Sequence, residues 1–158
     1  MVSRARKGFG GRLAAVCGAA LLASGPAVGR DDPTVSAPMD RTTLERLAAN
    51  SGATLQWIGW ERRGTVDVRR EGDVVYLTGS QIDANGGGTL WLDGRVSEAG
   101  PDYFIFDGLI RMSNTPDTGR ICEADKTWRF AITQNRRYYR LREFEWCDGL
   151  TDYIDIYF

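Results

Sequence analysis

Histidine is absent from the 158 residues. That removes the commonest general base and the commonest metal ligand, so Ser-His-Asp triads, histidine metal sites and most zinc-hydrolase schemes are excluded. Lysine is almost as scarce, since only Lys126 follows Lys7. Cysteine is limited to three residues and proline to five. What is present is ordinary for a globular chain: 42% hydrophobic and 26% charged residues exclude a disordered tail and a collagen-like repeat. The length suits a single domain.

The first 29 residues read as an export signal. Arg4, Arg6, Lys7 and Arg12 form a basic start, Leu13 to Val28 an apolar stretch, and Ala27-Val28-Gly29 a small-residue cleavage site. As a membrane anchor the stretch fails, because Gly18, Ser24, Gly25 and Pro26 interrupt it and it falls short of the roughly 20 residues that span a bilayer. Cys17 follows Val16 and so lacks the small residue that lipid attachment requires, and Arg4-Ala5-Arg6 is not a twin-arginine pair. The expected location after cleavage is the periplasm or the exterior.

Without residues 1–29, which carry four basic and no acidic side chains, 16 basic residues face 21 acidic ones, a net charge of −5. The arginines are interleaved with carboxylates, as in Glu61-Arg62-Arg63, so no basic face concentrates for nucleic acid. No glycine-rich phosphate loop opens a helix. Loss of Cys17 leaves Cys122 and Cys147, a pair that oxidises in an exported protein. They lie almost equidistant from the turn Gln134-Asn135-Arg136, so a Cys122–Cys147 disulfide is expected to clamp the open end of a hairpin. The spacing is not that of a redox-active CxxC motif.

Residues 30–39 contain two prolines and no apolar period, and read as a flexible leader to a domain over 40–158. A short helix follows at about 40–51, capped by Asp40 or by Thr42 in a Thr42-x-x-Glu45 capping box. Leu44, Leu47 and Ala48 share a face, and Gly52 ends it. From Ala53 the apolar period becomes two. Eight strands are expected, at 54–60, 64–70, 73–80, 89–96, 102–112, 127–133, 137–144 and 152–158. Short Gly-, Asn- and Pro-bearing turns join most of them; the loop 114–119 is longer.

This pattern predicts an all-β antiparallel meander, closed or partly closed into a barrel, with a two-sheet sandwich as the alternative. Its inward residues include Leu90, Leu92, Phe104, Phe106, Trp128, Phe130, Tyr139, Ile154 and Ile156. On the opposite faces Tyr103, Asp107, Arg129, Tyr138, Arg140, Tyr153 and Asp155 mix aromatic rings with both charge signs. Such a surface stacks a sugar or a base, or is a solvated face of cross-strand pairs. Asp107, Glu143, Asp152 and Asp155 show no spacing that selects a general acid–base pair, so no catalytic residue is assigned. Asp83-Ala84-Asn85-Gly86 lacks the later ligands of a calcium loop and reads as a tight turn; no metal or cofactor is expected. Ile154, Ile156 and Phe158 look like the closing strand of an outer-membrane barrel, but runs of about seven residues are shorter than the 9–11 such strands need.

Asn135-Arg-Arg-Tyr-Tyr-Arg-Leu-Arg and Cys147-Asp-Gly-Leu-Thr-Asp-Tyr-Ile-Asp-Ile-Tyr-Phe158 resemble a family of small secreted bacterial proteins of unassigned activity. That family carries an RKYWRLQ stretch before CDG-x-TDY-x-DIYF. Thr54-Leu-Gln-Trp-Ile-Gly-Trp-Glu and Phe104-Ile-Phe-Asp-Gly-Leu-Ile extend the likeness over roughly residues 53–158, and Tyr139 departs from it where the family more often has Trp. The resemblance implies an exported β domain with a paired cysteine and says nothing of chemistry. The expected role is non-catalytic binding of a small amphipathic ligand or a glycan. The alternative is a packed interaction or structural module of the cell envelope, with an outer-membrane barrel or a hydrolase behind both.

Overall fold

The computed structural model describes residues 37–158; the expected export signal over 1–29 and residues 30–36 of the expected leader lie outside the described residues. Period-two alternation becomes eight strands: β1 (Ala53–Leu55), β2 (Thr65–Glu71), β3 (Val74–Ile82), β4 (Thr89–Gly100), β5 (Tyr103–Ser113), β6 (Ile121–Ala131), β7 (Tyr138–Leu141) and β8 (Ile154–Tyr157). They form a single antiparallel sheet in the order β1-β8-β7-β6-β5-β4-β3-β2, curled into a nearly closed barrel rather than a sandwich. Strand boundaries differ from expectation most in four strands: β4 runs on from 96 to Gly100, β7 stops at Leu141 instead of 144, and the first and sixth also change. The first strand stops at Leu55, because residues 56–58 turn and Gln56 N–H bonds Tyr153 O. The sixth begins at Ile121, which lengthens the β5–β6 ladder to eleven pairs.

The inward residues fill the barrel. Phe104 stacks on Phe130 with ring centroids 5.0 Å apart, Tyr139 meets Phe104 edge-on at 5.2 Å, and all three rings are at most 1% exposed. Gly94 and Gly108 face each other across β4 and β5, where a Cβ on either would run into the opposite backbone. The Trp128 indole N–H donates to Gly108 O at 2.8 Å.

One helix, α1 (Arg41–Ala48), lies over a mouth of the barrel. Asp40 is the cap: its carboxylate accepts Thr43 N–H at 2.9 Å, while Thr42 lies within the helix. Leu47 inserts into the core, and the buried Thr43 hydroxyl donates to Gly100 O at 2.6 Å while accepting from the Tyr139 hydroxyl at 3.0 Å. Upstream, Pro38 and Met39 are pinned to Ala99, whose N–H donates to Pro38 O.

The two edges of the sheet, β1 and β2, meet without a regular ladder. Gly64 N–H donates to Ala53 O at 2.8 Å, and Gly64 has no space for a side chain beside Ser80 O. Beyond that point the inward Gln81 of β3 supplies the closure. Its Oε1 accepts Leu55 N–H at 2.6 Å, and its Nε2 donates to Gly59 O and Arg62 O at 2.9 and 2.8 Å. The side chain is 2% exposed and Leu55 is fully buried, so the Leu55 N–H has no alternative partner in solvent.

The disulfide joins Cys122 to Cys147, with Cα atoms 5.9 Å apart and a sequence separation of 25. The β6–β7 ladder holds only two residue pairs, Phe130–Leu141 and Ala131–Arg140, so the bridge secures a long excursion over 142–153. The Trp146 ring within it packs edge-on against Trp128.

Two outcomes are expected. Gln81→Leu leaves the Leu55 N–H unpaired and lowers the free energy of urea unfolding by about 1–3 kcal/mol. Replacing Cys122 and Cys147 by serine lowers it by about 3 kcal/mol, and a reductant reproduces that loss in the parent protein but changes nothing further in the variant.

Candidate functional site

The seven outward residues expected to share one surface divide into two groups. Tyr138, Arg140, Tyr153 and Asp155 converge outside β7 and β8, whereas Tyr103, Asp107 and Arg129 lie on β5 and β6. In the second group Arg129 stacks over Tyr103 at 3.8 Å, the Tyr103 hydroxyl bonds Glu98, and Asp107 pairs with Arg95 at 3.0 Å. The bond to Glu98 raises the Tyr103 hydroxyl above its ordinary range.

The first group is bound to itself. Arg140 makes two bonds of 2.7 Å to Asp155, whose carboxylate is 1% exposed, and its guanidinium packs 4.1 Å from the Tyr153 ring centre, 5.1 Å from Tyr138 and 5.8 Å from Trp60. Burial raises the Asp155 carboxyl above the usual carboxylate range, against the opposing pull of Arg140. Trp60 was expected on a strand; instead the turn after β1 brings it over Arg140. Arg63 covers Tyr157 in the same way, at 3.9 Å. The resulting cage of rings is already occupied by the protein's own guanidinium.

Space for a ligand lies at the barrel mouth instead. An open groove of about 1100 Å³ runs between α1 and the ends of β2, β3 and β4. Leu44, Val68, Val75 and Val96 give it apolar walls, and Arg41, Arg70 and Arg95 stand at its margin with Glu45 and Asp73. Arg41 is held by Glu45 at 2.7 Å, whereas Arg70 and Asp73 are only loosely paired at 4.0 Å.

The four carboxylates weighed as acid–base candidates each pair with a different cation: Asp107 with Arg95, Glu143 with Lys126, Asp152 with Arg120 and Asp155 with Arg140. The Arg120 network escaped the sequence reading. Arg120 bonds Asp152 at 2.9 and 3.0 Å, Asp148 at 2.8 and 2.9 Å and Thr115 O at 2.9 Å, tying the 114–120 loop to the chain before β8. The Trp57 indole N–H also donates to the fully buried Asp152, at 2.8 Å. Arg120 holds the Asp148 carboxyl below its ordinary range. Cys122, Cys147 and Asp148 cluster closely enough to ligate a metal, but the two sulfurs are bonded to each other. Around Asp83 the expected tight turn is present, with Asn85 N–H donating to the Asp83 carboxylate at 2.9 Å. Arg120→Leu strands the buried Asp152 charge and is expected to cost about 3–5 kcal/mol in urea unfolding. Arg111→Leu, removing half of an exposed pair, is expected to cost under about 1 kcal/mol.

Two comparisons locate the chain among known proteins. Residues 36–158 match the PM1083 family. The chain is also similar to the uncharacterized protein PM1083 of Pasteurella multocida (strain Pm70), 33% identical over 116 residues, which cover 72% of this chain and 74% of that protein. No solved structure matches. With the whole barrel, its disulfide and its mouth helix inside the matched residues, the chain belongs to the PM1083 family.

Proposed function

We propose that this protein is an exported, non-catalytic binding module that takes a small amphipathic ligand in the groove between α1 and strands β2 to β4. The observation that carries this reading is the groove itself: apolar side chains wall a space of about 1100 Å³ whose margin is charged. An amphiphile's chain would cover Val68, Val75 and Val96, and its polar end would remain at the solvated arginines. Export rests on the basic, apolar and small-residue pattern of residues 1–29 and agrees with a disulfide-stapled domain. Among the described residues no helix is long and apolar enough to cross a membrane. The outward rows of β2 to β6 carry Asp67, Arg69, Asp93, Arg95 and Arg111 where a membrane barrel needs an apolar band.

The filled interior favours a second reading, a packed interaction module, and one experiment separates the two. In native mass spectrometry, protein recovered from a bacterial periplasm is expected to have the mass of residues 30–158 less two hydrogens and to bind one dodecanoate. Ala48 and Val74 border the groove from the helix and the sheet and are both exposed. Replacing both by glutamate is expected to weaken dodecanoate about tenfold without moving the thermal midpoint. Dodecanoate binding that survives in the double variant, or is absent from the parent protein, overturns the groove reading. A parent protein that ignores dodecanoate but forms a dimer or a partner adduct supports the interaction module.

A further inference from the structure

The outward face of β2 to β6 bears an aromatic ring that the protein leaves uncovered. Trp91, on the central strand β4, is 48% exposed. Register places it in a row with Thr65, Ser80, Arg111 and Glu123. The adjacent row runs Asp67, Thr78, Asp93, Leu109, Asp125. Its three aspartates are exposed, and none has an ion-pair partner among the described residues. The contrast with the cage around Arg140 is direct: there Arg140 and Asp155 answer each other, and here Glu123 is paired with Arg111 but the three aspartates are not paired.

We propose that this face binds a neutral saccharide stacked on Trp91, with hydroxyl groups donating to Asp93 and its row-mates and accepting from Arg111. The argument is one of exclusion by chemistry. A flat indole offers apolar area to a flat partner, but an apolar protein face or a lipid surface laid over it would bury three carboxylates without compensation. A sugar ring meets both demands, because one face presents C–H bonds to the indole and its edge presents many hydroxyl donors. The aspartates occupy alternate strands, about 10 Å apart, a span comparable with two sugar rings in line. The face lies outside the barrel and shares none of the groove-lining residues except Arg95, so the inference stands apart from the groove reading.

The five indole N–H signals of Trp57, Trp60, Trp91, Trp128 and Trp146 report the outcome directly in a two-dimensional NMR titration with chitotetraose and with maltotetraose. Trp91→Phe assigns the relevant signal. The expected result is a saturable shift of the Trp91 signal in the millimolar range with at least one of the two sugars, while Trp128 and Trp146 stay in place. Trp91→Ala and Asp93→Asn, both at exposed positions, are expected to keep the parent's backbone spectrum and lose at least about tenfold in affinity. No shift with either sugar overturns the proposal, as do shifts elsewhere that persist in Trp91→Ala. A response to pentalysine alone, abolished by salt, overturns it in favour of a cationic peptide.

Discussion

The side-chain amide of Gln81 holds the barrel together where its backbone cannot. An eight-stranded sheet that curls without closing presents two edges of unpaired N–H and C=O groups. Here the edges approach at Gly64 and then diverge, and one amide bridges the gap by accepting from β1 and donating twice to the turn that follows it. With that seam fixed, β3 is held close to β1 and the aromatic interior is confined. On the far side of the seam β2 leaves β1 and runs beside α1, which creates the groove at the mouth.

With the interior filled by side chains, the proposed binding falls to the outside, and the exterior is uneven. Around Arg140 the rings and charges satisfy one another, so the cluster acts as a second layer that braces β7, β8 and the turn carrying Trp60. Across β2 to β6 some outward charges are paired, as in Arg95–Asp107 and Arg111–Glu123, but Trp91 and the three aspartates of the neighbouring row stand apart. The difference follows from connection length: the long turn after β1 folds back over β8, whereas β2 to β5 are joined by hairpins too short to cover their own outer face.

Much of the fold was legible because apolar alternation is a local signal. It identifies strands and inward residues together, and the inward set from Leu90 to Ile156 is the buried one. The disulfide was legible for a related reason, since a single hairpin turn relates its two cysteines. Gln81, Thr43 and Arg120 were not. Each is a polar side chain whose partners are remote in sequence, and the period-two pattern treats an inward glutamine as a break in the strand. The grouping of the candidate surface was legible only in part. Alternation places Tyr103 and Tyr138 alike on outward faces, but β6 separates β5 from β7, and each group of residues contacts itself.

The first and last strands of the described domain are neighbours: Ala53 pairs with Ile156, and β8 lies between β1 and β7. Nothing local can form that junction. Almost the whole domain must be gathered before β1 gains a partner, so loop-closure entropy is met early and the stabilising contacts arrive late. Such a topology folds slowly. Under the proposed export, slow closure would be an advantage, because the polypeptide would stay pliable until the oxidising side is reached and the cysteines could lock the result.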